Sequence, residues 1–198
     1  MTIEDGLITG ADGTVRCAWS GDDTEYRRYH DEEWGVPLHG DRPLFEKICL
    51  EGFQAGLSWI TILRKRPRFR EVFHDFDLAA VAAMDADDVD RLMDDAGIIR
   101  SRPKILATIG NAQAALALRE RDGDGALDRL VWSFREEAPL GRVVRPDDIP
   151  TSTPASLALS KALRKAGFRF VGATTMYALL QSAGVVDDHL TGCFRARS

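Results

Sequence analysis

Asp85-Ala86-Asp87-Asp88-Val89-Asp90-Arg91-Leu92-Met93-Asp94-Asp95-Ala96-Gly97-Ile98-Ile99-Arg100-Ser101-Arg102-Pro103-Lys104 reads as a helix, a tight turn and the start of a second helix. Asp85 is placed to cap the first helix, and Val89, Leu92 and Met93 share one of its faces. Gly97 closes it. Ile105, Ile109, Ala112 and Leu116 give the next helix its apolar line, from about Pro103 to Arg119. Such a turn can aim backbone N–H groups at a phosphate, with the dipole of the second helix facing the same way. Arg100, Arg102 and Lys104 follow at once. On local sequence alone, an ordinary C-cap and turn fits these residues equally well.

Helical signals extend outward from this stretch. Asp41 before Arg42-Pro43 predicts an N-cap with an early proline, and Leu44, Phe45, Ile48 and Phe53 then recur at helical spacing. Gly56 breaks that helix. Ser58 is placed to cap the next, with Trp59, Ile60, Ile62 and Leu63 as its apolar side and Pro67 as its expected end. Later helices are expected around Leu127 to Phe134, after Thr153-Pro154, and around Met176 to Leu180. Residues 139 to 152, with Pro139, Gly141, Pro146 and Pro150, read as an irregular connection. No segment alternates as a strand should. The expected class is all-α, one domain of two packed helical lobes. Residues 1 to 15, with Gly6, Gly10 and Gly13, read as a loose tail before a domain spanning 16 to 198.

The chain has 198 residues, 29% of them charged, and a net charge of −5. That excludes a protein that coats nucleic acid through its overall field, but not one with a local basic face. No apolar run approaches the roughly 18 to 20 residues of a membrane helix. The N-terminus lacks the basic and apolar regions of a signal peptide, so a cytoplasmic protein is expected. Three cysteines in such a chain point to metal binding or inert burial. Cys49, in an apolar helical stretch, reads as a small core residue.

The other two cysteines form half-sites with histidines. Cys17 is followed after twelve residues by His30, and His189 and Cys193 stand three residues apart near the other end. Two thiolates and two imidazoles make a tetrahedral zinc set. A lone Cys-x12-His is no better than chance, whereas positions i and i+4 share a face. With all four ligands from protein, no position remains for water, so the site reads as a structural staple. His39 and His74 read as surface residues.

A further stretch, Leu50-Glu51-Gly52-Phe53-Gln54-Ala55-Gly56-Leu57-Ser58-Trp59, sets one carboxylate among small and apolar residues. A buried, unpaired carboxylate is costly, so Glu51 needs a partner or a ligand. Trp59 lies across a glycine turn, and Trp19, Tyr26, Tyr29 and Trp34 lie upstream. Aromatic faces with one acceptor suit a flat heterocycle bearing an exocyclic amine. The plainer alternative is that the aromatics are core, as Trp34 and Phe53 are expected to be.

These stretches, in this order, resemble the type I 3-methyladenine DNA glycosylases. The resemblance rests on Cys17-Ala18-Trp19, Tyr29 through Pro37, Leu50 through Ile60, Asp95 through Arg100, Lys104-Ile105, Phe170-Val171-Gly172 and Asp188-His189. It covers nearly everything from Cys17 to Cys193. It implies a helix-hairpin-helix glycosylase fold with one structural zinc on Cys17, His30, His189 and Cys193. It implies base recognition and catalysis by Glu51 and Tyr29, with Trp59 and Trp19 around the base, Tyr26 nearby, and Leu57 near the gap left in the duplex. Gly97, Arg100, Arg102 and Lys104 are the residues expected at the DNA backbone. The implied activity is extrusion and hydrolytic excision of N3-methylated adenine from double-stranded alkylated DNA. No lysine lies in the pocket segment, so no lyase step is expected. A monomer without a nucleotide cofactor is expected too. The chain departs from the general motif in lacking a second hairpin glycine and in carrying Pro103. Two rival readings remain: a DNA-binding module without catalysis, and a zinc hydrolase with an open coordination position.

Overall fold

The computed structural model describes residues 3–135 and 143–196, so Pro139 and Gly141 lie outside the described residues. It is mostly helical. The helices are α1 (Thr24–Glu32), α2 (Asp41–Gln54), α3 (Trp59–Val72), α4 (Leu78–Ala82), α5 (Ala86–Asp94), α6 (Arg102–Asp122), α7 (Ala126–Trp132), α8 (Pro154–Lys165) and α9 (Ala173–Ser182). Among the described residues no helix is long and apolar enough to cross a membrane.

The expectation of no strands is corrected. β1 (Ile3–Glu4), β2 (Leu7–Thr9) and β3 (Val15–Cys17) form an antiparallel sheet in that order. The stretch expected as a tail is therefore paired along its backbone, and Ile8 is buried. Strands of two and three residues are too short to display an alternating pattern. Cys17, at the end of β3, packs with Leu190, Cys193 and Val143 in a small apolar cluster of its own.

α2 is the central element. Leu44, Phe45, Lys47, Ile48, Cys49, Leu50, Glu51, Gly52 and Phe53 are all buried. A helix covered nearly all round must be enclosed by others, and α3, α6, α7 and α9 pack on it. Its N-cap is Gly40, one residue earlier than expected. The Asp41 carboxylate instead accepts from the N–H groups of Gly125 (3.2 Å) and Asp128 (2.9 Å), joining the starts of α2 and α7. A carboxylate at a helix N-terminus is the favoured charge there.

Pro67 lies inside α3 rather than ending it. A proline forfeits one helical hydrogen bond, but Ile62 and Leu63 before it and Phe69 after it are all drawn into one aromatic core with Phe53, Phe73 and Phe76. The basic run on α3 is used in ties to its neighbours. Arg66 is buried against Glu33 with N···O distances of 2.5 and 2.8 Å. Arg64 pairs with Asp23, Arg68 with Asp95 and Arg70 with Glu46. The helix–turn–helix stretch is present as α5, a turn over 95–101, and α6. Asp85 and Asp88 form a capping box at the start of α5.

Candidate active site and metal centre

The two half-sites meet. Sγ of Cys17 and Cys193 and one ring nitrogen each of His30 and His189 lie within 4.8 Å of one another, and all four residues are buried. His189 Nδ1 is 3.8 Å from Cys17 Sγ and 3.6 Å from Cys193 Sγ, and His30 Nε2 is 3.5 Å from Cys193 Sγ. The other ring nitrogens are engaged outward. His30 Nδ1 is 2.8 Å from an Asp31 carboxylate oxygen, and His189 Nε2 is 3.2 Å from the Trp34 carbonyl. Asp31 is gripped in turn by Arg16 at 2.9 Å.

Each ring is thus oriented from behind, the arrangement that presents an imidazole to a metal. Gly35 is required beside it: its φ is +76°, and a Cβ there would lie 2.9 Å from His189 Nε2. The contact between the two sulfurs, with hydrogen bonds from His189 and His30, holds the Cys193 thiol low. The same contact and burial hold Cys17 high. The donor chemistry and convergence of the four residues fit a tetrahedral soft-metal ion.

Cys17 and His30 bracket the segment that builds the second site. A single turn of 3-10 helix, Ala18–Ser20, presents Trp19 at the surface, and α1 carries Tyr26 and Tyr29. Asp23 caps α1 by accepting from the Tyr26 N–H at 2.9 Å. Trp19 lies 5.0 Å from the Tyr26 ring, 6.4 Å from Tyr29 and 5.1 Å from Trp34, centroid to centroid. Tyr29 lies 5.4 Å from Trp59 at the start of α3. Trp34 stands 4.5 Å from the His189 ring. Trp34 and Phe53 are buried, as expected of core residues.

Glu51, near the C-terminal end of α2, is only 4% exposed. Ser182 on α9 donates its hydroxyl to Glu51 Oε1 at 3.2 Å. Burial pushes the Glu51 carboxyl up to about 7, against the lowering effects of the Lys47 ammonium and the Ser182 hydroxyl. Burial and then the Glu51 charge raise the phenols of Tyr29 and Tyr26. The Trp59 Nε1–H is buried without a hydrogen-bond partner. An orphan donor in an interior is costly, and marks a position that a ligand or water completes.

The sequence reading missed Lys47. Its side chain is buried, with Nζ 5.0 Å from the Tyr29 ring centroid and 5.5 Å from that of Trp59. The segment Leu50 to Trp59 holds no lysine, as read, but Lys47 lies just outside it, one helical turn before Glu51. That i,i+4 spacing was the available signal.

The expected DNA-contacting residues are brought together only in part. Arg100 is exposed, and Arg102 pairs with Asp90 at 2.5 Å. The Gly97 N–H donates to Asp95 Oδ1 at 2.7 Å, inside the turn. Lys104 turns inward and donates to the carbonyls of Phe53 and Ala55, both at 2.8 Å, which caps the C-terminus of α2. Leu57, in the loop after α2, is exposed. His39 is exposed, as expected of a surface residue, and stacks on Trp132 at 4.2 Å with its ring nitrogen 3.2 Å from the Asp128 carboxylate.

Fold and site together define a mostly helical protein in which a cluster of aromatic rings, Trp19, Tyr26, Tyr29, Trp34 and Trp59, lies in one chain of ring contacts and α2 carries one buried carboxylate, Glu51. The sequence pattern of the methyladenine glycosylase family matches residues 19–196. DNA-3-methyladenine glycosylase 1 of Escherichia coli (strain K12) is 54% identical over 179 residues, which is 90% of this chain and 95% of that protein. A crystal structure of 3-methyladenine DNA glycosylase I superposes with a TM-score of 0.87 at 53% identity, covering 92% of this chain and 100% of that one. A structure addressing 3-methyladenine recognition by the glycosylase I of Staphylococcus aureus superposes with a TM-score of 0.86 at 36% identity, covering 92% and 97%. The chain belongs to the methyladenine glycosylase family.

Proposed function

We propose that this protein is a DNA-3-methyladenine glycosylase of base excision repair, which extrudes N3-methylated adenine from alkylated duplex DNA and removes it by hydrolysis. The observation that carries the reading is Glu51: a buried carboxylate whose charge acts on Tyr29 and Tyr26, held by one serine hydroxyl. The names of the E. coli and S. aureus relatives support the substrate.

N3-methylation places a positive charge on adenine and makes the base a good leaving group. The C1′–N9 bond therefore breaks with little acid assistance. Water supplies the new C1′–O bond and releases a proton to solvent, while the base departs as neutral 3-methyladenine. The task of the protein is extrusion and selection. Glu51 accepts from the exocyclic amine and attracts the cationic ring, and the Tyr29 hydroxyl adds a second hydrogen bond. Stacking on Trp59 contributes about 0.5 to 2 kcal/mol of cation–π attraction that neutral adenine forfeits. Trp19 and Tyr26 complete the wall.

Lys47 does not reopen a lyase route. It precedes Glu51 by four residues, about 6 Å further from the Leu57 loop along the helix axis, and helical side chains lean toward the N-terminus. Its ammonium is enclosed over the rings of Tyr29 and Trp59, and we read it as a fixed charge rather than a nucleophile. We read α5, the turn and α6 as the DNA-facing helix-hairpin-helix, with Arg100 and Arg102 at the backbone and Leu57 at the vacated gap. Cys17, His30, His189 and Cys193 would hold one zinc ion, whose closed shell supplies folding energy rather than chemistry. Incubating the purified protein with methylated duplex DNA and identifying the freed base tests the proposal. DNA binding without release of 3-methyladenine would leave only the non-catalytic reading.

A further inference from the structure

Lys47 and Glu51 share one face of α2, one turn apart, and both are enclosed. The Lys47 ammonium lies over the rings of Tyr29 and Trp59, the two side chains proposed to meet the base with Glu51. Other charged and titratable groups acting on the pair are Tyr26 and Tyr29 on α1, Glu33 after it, Glu46 on α2 and Arg66 on α3. Arg66 and Glu33 neutralise each other in a two-bond pair. The Ser182 hydroxyl from α9 is the hydrogen-bond donor to Glu51. Lys47 is thus the nearest unpaired cation on the helix that carries the carboxylate.

We propose that Lys47 is a positioning residue that favours the ionised form of Glu51 inside an otherwise desolvating pocket, so that a larger share of the recognition carboxylate is charged near neutral pH. The inference rests on the reading of Glu51 as the base-recognition group. The physical logic is direct. An apolar enclosure alone drives a carboxyl toward its neutral form. A neutral carboxyl offers a cationic base far less attraction. A buried cation one turn away opposes that drift. Burial pulls Lys47 downward while Glu51 and Glu33 hold it up, so the charges sustain each other. The ammonium also repels a cationic base, while its effect on Glu51 is exerted within one helical turn.

The test compares the parent, Lys47→Met and Lys47→Arg as full-length, metal-loaded proteins. Single-turnover excision from methylated duplex DNA is followed against pH, and the Glu51 carboxyl is titrated by carbon-13 NMR. In Lys47→Met, the acid limb of activity and the carboxyl titration should both move upward by about one unit or more. Lys47→Arg should keep the parental limb. A carboxyl titration unmoved in Lys47→Met overturns the proposal. If Lys47→Met does not fold, Lys47→Gln carries the same expectation and the same refutation. Failure of the underlying reading looks different: Glu51→Gln would excise at the parental rate, whatever the NMR titration shows.

Discussion

The Ser182 hydroxyl on α9 donates to Oε1 of Glu51 on α2 at 3.2 Å, fixing the one buried carboxylate of the pocket from the far end of the chain. This carboxylate is held against its own stability. Its carboxyl is raised from the ordinary 4.5 to about 7, first by burial. The folded state therefore binds the proton more tightly than the unfolded chain does. The Glu51 contribution is most favourable below 4.5, and stability declines as pH rises from 4.5 to about 7. By the shift, Glu51 costs on the order of 3 kcal/mol at pH 8. Glu51→Gln should raise the melting temperature at pH 8 and have little effect at pH 4.5, as thermal unfolding at the two pH values would reveal.

Ser182→Ala should remove the hydroxyl that favours the charged carboxylate. The variant should lose about 1 to 3 kcal/mol, measured by denaturant unfolding at pH 8, and its acid limb of excision should move to higher pH. A parental limb would show that the hydroxyl has no part in setting the charge of Glu51.

Cys193→Ala should cost several kcal/mol, about 3 or more, because metal binding by Cys17, His30, His189 and Cys193 is also folding free energy. Metal analysis should find about one ion per parental chain and less in the variant, and chelation should lower the parental melting temperature toward that of the variant. Unchanged metal content and melting would remove Cys193 from the set.

Borohydride should trap no covalent protein–DNA adduct during excision, because the Lys47 amine is enclosed over the rings of Tyr29 and Trp59 and is read as a fixed charge. Strand cleavage should appear only after alkali. A trapped adduct that disappears in Lys47→Met would assign Lys47 a nucleophilic role instead.

Arg100→Ala should weaken binding to duplex DNA of any sequence and reduce the slope of log K against log salt by about one. Lys104→Ala should act instead through stability, because its ammonium closes the end of α2 on the carbonyls of Phe53 and Ala55. Binding isotherms at several salt concentrations, run beside unfolding curves, separate the two effects.

What could be read in the sequence follows from how local each signal is. Cys17, His30, His189 and Cys193 were legible because so few residue types bind soft metals, although 172 residues separate Cys17 from His189. Glu51 was legible as a charge in an apolar run, and most helices from their spacing. Lys47 was not, because a lysine on a helix reads as solvated and only the fold brings α1 and α3 over it. Ser182 was hidden for the same reason. Lys104 was read with its arginine neighbours, but the carbonyls it caps belong to another helix. The strands before Cys17 were too short to carry a period, and continuation of α3 through Pro67 depends on the core packing around it rather than on its own residues.

The account centres on Glu51 as the group that selects the cationic base. Single-turnover release of 3-methyladenine from methylated duplex DNA at pH 8, by parent and by Glu51→Gln at equal DNA occupancy, tests it most directly. Loss of a charge-assisted hydrogen bond and of the attraction to the cation predicts a rate at least about a hundredfold lower, in a variant that is folded and no less stable. Excision by folded Glu51→Gln at the parental rate would contradict it.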